Sequence, residues 1–119
     1  MKIRDKNPAV ADLISRLEEI GRRENIPLWS ALAEKLNRPR RKGYEVNLFK
    51  LEKNAEGKKT VVVPGIVLGS GKLTKAVNVA ALRFSNRAEE KIKKAGGHCM
   101  SLEKFMEEKP HPKSVVIMG

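Results

Sequence analysis

Apolar residues recur at helical spacing over the first part of the chain. Val10, Leu13, Ile14 and Leu17 stand at i, i+3, i+4 and i+7, behind an Asn7 and Pro8 pair that reads as an N-cap and first helical residue. The spacing predicts a helix over 9–24. Asn25, Ile26 and Pro27 break it, and Trp29, Leu32, Ala33 and Leu36 form a second apolar face. That second helix should run over 28–37 and stop ahead of Pro39, whose ring disfavours helical geometry in the residue before it. The run RPRRK over 38–42 has no apolar period and reads as an exposed loop leading to Gly43. A short third helix, with Val46, Phe49 and Lys53 on adjacent turns, completes a helical part over 1–54.

From residue 55 the period changes. An EGKK turn leads into Thr60, Val61, Val62 and Val63, a β-branched run that predicts a buried strand terminated by Pro64 and Gly65. After the glycine-spaced segment GIVLGSGKLTK, residues 77–84 read as another strand of small and β-branched residues. Ser85 or Asn86 should cap a helix, with Glu89 placed to close a capping box on Asn86. Ile92 and Ala95 supply its inner face, and Gly96 with Gly97 ends it in left-handed geometry. A strand over 98–100 follows, then a Ser101-capped helix holding Leu102, Phe105 and Met106, closed before Pro110, and a last strand over 114–118. Strands alternating with helices predict an α/β fold in which the helical amino-terminal part precedes a small, mostly parallel sheet. At 119 residues one domain is expected, with parts 1–54 and 55–119, and no repeat of fixed period is visible.

Charge then narrows the partners. The chain has 25 Lys and Arg against 14 Asp and Glu, a formal net charge of +11, which calls for a polyanion. Two stretches lack acids altogether. Residues 35–44 hold Arg38, Arg40, Arg41 and Lys42; residues 57–88 hold Lys58, Lys59, Lys72, Lys75, Arg83 and Arg87. The lysines do not gather opposite a large apolar helical face, as in a membrane anchor, so nucleic acid is preferred over a lipid surface. No apolar run approaches the ~20 residues that cross a bilayer, and the opening MKIRDKNP lacks the core of a secretory signal, so an intracellular, cytoplasmic protein is expected. One cysteine, Cys99, makes no internal disulfide, and with only two histidines no structural metal or other cofactor is expected.

Three motifs invite chemistry. The RPRRK cluster offers guanidinium forks for phosphate oxygens, and Tyr44 just beyond it is an aromatic able to stack on a base. In GSGK, Gly69 and Gly71 permit close approach of a backbone to a phosphodiester, with Lys72 and Lys75 adding charge. The blander account of the same glycines is a tight turn between two strands. A nucleotide-binding enzyme would need Gly at 66 and Ser or Thr at 73, where the chain has Ile66 and Leu73, and the dinucleotide fingerprint lacks its third glycine. The helices over 9–37 are the third motif, as a helix-turn-helix DNA reader, but the second carries only Glu34 and Lys35 as charged residues, a poor recognition surface. His98 and Cys99 read as a partly buried imidazole and a buried thiol, not as a base and nucleophile, and His111 as exposed. No catalytic constellation or small-molecule site is expected.

Together, RPRRK leading through Glu45 into VNLFKL, the block VVVPGIVLGSGKL, and the later ALRFS with AGG and SLE resemble the archaeal and eukaryotic family of large-subunit ribosomal proteins numbered eighteen, a relative of the universal family numbered fifteen. The resemblance spans about residues 7–110, and the short length favours the archaeal form. It implies strand and helix turns wound into an irregular superhelix, no catalysis, and contact with large-subunit ribosomal RNA and neighbouring ribosomal proteins. Phosphate-facing roles would fall on Arg38, Arg40, Arg41, Lys42, Lys72 and Lys75, and further RNA contacts on Tyr44, Asn47, Gly69 and Gly71. The two basic loops are expected to converge on one surface.

Overall fold

The computed structural model describes residues 8–37, 45–54, 60–108 and 115–117. Asn7, the RPRRK run, Tyr44, the EGKK turn and His111 lie outside the described residues. Contacts divide the chain into two compact units, 1–43 and 44–119.

The first unit is a helix pair. Helix α1 (Pro8–Glu24) buries Leu13, Ile14 and Leu17, the stripe that its period marks. Asn25 ends it at φ 54, and the Ile26 amide donates back to the Gly21 carbonyl at 3.2 Å, the 6→1 closure of a helix whose next residue turns left-handed. Helix α2 (Pro27–Leu36) starts with Pro27 in its first turn, where no amide donor is required, and buries Trp29, Leu32, Ala33 and Leu36. The helices touch at Gly21, where an added Cβ would stand 2.5 Å from Ser30 Oγ.

The second unit is a five-stranded sheet in which every pairing is parallel. Strand β1 (Glu45–Asn47) leads directly into α3 (Leu48–Asn54), so Val46 is a buried strand residue and not part of a third-helix face. The helix turns Leu48 and Leu51 inward and leaves Phe49 60% exposed, reversing the expected inner face. Strand β2 (Thr60–Leu68) does not stop at Pro64 and Gly65; it continues to Leu68 through a bulge, Val63 pairing Ala81 of β3 and Ile66 pairing Arg83. On its other edge β2 pairs β5 (Val115–Ile117) over Thr60–Val62 and β1 over Ile66–Leu68. Pro64 therefore sits in the gap between two partners on one side and in the bulge on the other, where its missing amide donor is not called for.

Strand β3 (Asn78–Phe84) runs parallel to β2, so the GSGK glycines do not form the tight turn of a hairpin. Helix α4 (Asn86–Lys94) is capped by Ser85, whose side chain accepts from the Ala88 amide; this leaves Glu89 one place beyond the capping-box position, and it pairs with Lys93 at 3.1 Å instead. At the far end, the Gly96 and Gly97 amides donate to the Lys93 and Ile92 carbonyls, with Gly96 at φ 88. Strand β4 (His98–Ser101) pairs β3, and Ser101 caps α5 (Leu102–Glu107) through the Lys104 amide. His98 is exposed, not partly buried, and Cys99 is half-buried, its thiol pushed up by burial.

One face of the sheet carries Val61, Val63 and Val67 from β2 and Val79 and Ala81 from β3, packed with Leu48 and Leu51 of α3 and Ala88 and Ile92 of α4. Val62 and Ala80, which alternate to the opposite face, are equally buried, and α5 adds Leu102, Phe105 and Met106.

Candidate nucleic-acid interface

Parallel strands are usually joined by about a dozen residues or more, most often through a helix. Residues 69–77 join β2 to β3 without one. The segment packs Leu73 on the same core cluster as α3 and α4, and both helices hold it. From α3, the Phe49 amide donates to the Ser70 carbonyl at 3.2 Å, and Glu52 accepts from the Thr74 amide at 2.8 Å and from the Thr74 hydroxyl. The Lys75 amide reaches the same carboxylate at 3.4 Å, and Lys75 Nζ donates to the Glu52 carbonyl at 3.1 Å. From α4, Lys91 Nζ donates to the carbonyls of Gly69 at 2.8 Å and Gly71 at 2.9 Å.

These contacts dictate the glycines. Gly71 has φ +99, and a Cβ there would stand 2.7 Å from Phe49 Cβ and 2.8 Å from its amide nitrogen; at Gly69 a Cβ would meet Arg87 Cβ and Cγ at 2.7 Å. The Thr74 hydrogen bonds, foremost that of its hydroxyl, hold the Glu52 carboxyl below its ordinary value, with the Lys75 amide and charge adding to them against a burial effect of opposite sign.

The loop leaves the carboxyl end of β2, beside the carboxyl ends of β1 and β3. Asn47 is the last residue of β1 and pairs with Leu68, and Ser85, after β3, donates its amide to the Val67 carbonyl at 2.9 Å. Of the ten residues expected to meet RNA, Asn47, Gly69, Gly71, Lys72 and Lys75 thus share one region. Lys72 is exposed with no ion-pair or hydrogen-bond partner among the described residues, whereas the Lys75 ammonium is tied to α3. Arg38, Arg40, Arg41, Lys42 and Tyr44 fall outside the described residues.

Sequence reasoning missed Glu52, Lys91 and Phe49 here, and did not single out Arg87, which is exposed and unpaired among the described residues next to Gly69. Arg87 was detectable as the last cation of the acid-free stretch 57–88. A nucleotide-binding loop needs a helix N-terminus directly after it; here an irregular segment leads into β3.

Residues 28–100 match the model of a ribosomal protein family whose description names 50S-L15 and 50S-L18e together with a 60S counterpart. The chain belongs to this family. It is 46% identical over 116 residues to the large ribosomal subunit protein eL18 of Archaeoglobus fulgidus, an alignment covering 98% of this chain and 99% of that one. The eL18 proteins of Haloarcula marismortui and Methanothermobacter thermautotrophicus are similar at 44% and 41% identity, covering 94% and 98% of this chain and 96% and 97% of theirs. The resemblance read from VVVPGIVLGSGKL and its neighbours is therefore borne out, as is the mixed α/β class with a parallel sheet.

Proposed function

We propose that this chain is a structural constituent of the large ribosomal subunit in the cytoplasm, without catalytic activity of its own, and that it binds ribosomal RNA through the pinned loop after β2 and the cations beside it. The observation that carries this is the contrast within the loop. Its backbone is fixed by Glu52, Lys91 and Phe49, while Lys72 and the neighbouring Arg87 extend unpaired among the described residues. A backbone held in advance loses less entropy on binding, and free cations displace the counterions of a phosphate chain. Arg38, Arg40, Arg41 and Lys42 are further phosphate contacts on this reading, with Tyr44 and Asn47 as further RNA contacts. Neighbouring ribosomal proteins are the remaining partners.

The test is the salt dependence of binding to deproteinised large-subunit ribosomal RNA. Six phosphate contacts predict a log–log slope of about −4 to −5, and Lys72→Ala or Arg87→Ala should each lower its size by roughly 0.7 to 0.9. Arg40→Ala with Arg41→Ala should weaken binding and leave the thermal midpoint in place. A slope near zero for the unaltered chain would exclude the mechanism.

A further inference from the structure

Among the described residues, Phe49 is the one large hydrophobic side chain left exposed, at 60%, on a helix whose Leu48 and Leu51 are fully buried. A single exposed aromatic is ordinary on a protein surface by itself. Its setting is what matters. The Phe49 amide is bonded to Ser70 in the glycine loop, and the space a Cβ of Gly71 would fill is taken by the Phe49 backbone and Cβ. The aromatic is thus rooted against the loop that carries Lys72, and its backbone cannot drift from that cation without breaking the loop's attachment. The carboxylate close by in the sequence, Glu52, is turned to Thr74 and Lys75. An exposed apolar ring rooted against Gly71, the residue before a cation unpaired among the described residues, with Glu52 engaged elsewhere, matches the two halves of a nucleotide: a base face and a phosphate.

Resting on the RNA-binding reading above, we propose that Phe49 is a base-stacking platform, taking one unpaired base of ribosomal RNA on its ring while Lys72 meets the adjoining phosphate. Single-stranded and bulged RNA is recognised in this manner, because every base has a π-face and an unstacked one gains by finding an aromatic.

Full-length chains carrying Phe49→Ala, Phe49→Leu or Phe49→Trp, titrated with deproteinised large-subunit ribosomal RNA at several salt concentrations, test this. Phe49→Ala should weaken binding roughly 5- to 150-fold with the salt slope unchanged, since no phosphate contact is lost. Phe49→Trp should keep the affinity, and Phe49→Leu should not. Chemical probing should show one unpaired base protected by the unaltered chain and exposed again with Phe49→Ala. If Phe49→Ala lowers the thermal midpoint, comparison of the leucine and tryptophan variants, which both keep an apolar side chain, decides in its place. Equal binding by Phe49→Leu and the unaltered chain overturns stacking. Normal RNA binding by Phe49→Ala with failed incorporation into subunits overturns it in favour of a protein neighbour. In both cases the salt slope of the unaltered chain still stands, which separates this failure from failure of the RNA reading itself.

Discussion

Thr74 gives both its donors to one side chain: its amide and its hydroxyl go to the two carboxylate oxygens of Glu52, across a gap between a helix and an extended loop. Only the ionised carboxylate can accept both bonds without one oxygen carrying a proton. The lowered Glu52 pKa means that the contact is fully present at neutral pH and above the unfolded value, and is lost as pH falls through the folded value, which lies below 4.5. The Thr74 amide proton resonance should therefore titrate with a midpoint under 4.5. Glu52→Gln should abolish that titration and weaken RNA binding, whereas a midpoint at or above the ordinary value would show that the contact is not formed in solution.

Lys91 answers the two loop carbonyls with one ammonium. Lys91→Met keeps the stem of the side chain and removes the donor, leaving the Gly69 and Gly71 carbonyls to water. Hydrogen bonds from charged donors, discounted here for partial exposure, place the loss at about 1 to 2 kcal/mol in denaturant unfolding. An unchanged midpoint would mean that the loop holds its shape through Glu52 and Phe49 alone.

Gly71→Ala combines a strained backbone with a collision. The left-handed conformation costs a non-glycine residue about 1 to 2 kcal/mol, and the new Cβ meets the Phe49 amide nitrogen at 2.8 Å and Cα at 3.1 Å. Because those are main-chain atoms, adding Phe49→Ala should not restore stability. Recovery in the double variant would show that only the side chain stands in the way.

The helix pair offers a contrasting case. Gly21→Ala puts a Cβ against Ser30 Oγ, the movable end of a small side chain, with the next contacts at 3.1 Å and 3.4 Å. Overpacking of this kind costs about 1 to 3 kcal/mol, and Ser30→Ala should recover much of it. A double-mutant cycle with no coupling between the two positions would contradict the close approach of α1 and α2.

Where one face of an element meets a core, the sequence was readable. The stripes of Leu13, Ile14 and Leu17, of Trp29, Leu32 and Leu36, and of Leu102, Phe105 and Met106 are all buried, and Ser101 caps as its spacing suggests. What failed were inferences whose outcome depends on a distant partner. Pro64 looked like a stop because a proline cannot donate to a ladder; whether a donor is wanted there depends on where β1, β3 and β5 pair, and none of that is local. Val46 and Phe49 fit a helical spacing, yet β2 claims Val46 for the sheet and the core takes Leu48 and Leu51 instead. In the candidate interface, Gly71 and Lys72 announced themselves through their motif. Glu52 and Lys91 did not, since each is an ordinary helix residue until the chain brings a loop from some twenty positions away against it.

The shared outer edge of β2 sets an order of events for a chain emerging from its own synthesis. β1 precedes β2 and can join it early, whereas the main-chain groups of Thr60, Val61 and Val62 on that edge wait for residues 115–117, with β3, α4, β4 and α5 all made in between. Until those residues arrive, the first three residues of the central strand are an unclosed seam on that flank. A nascent or clipped chain in that state would be the form most exposed to mispairing with a second copy of itself.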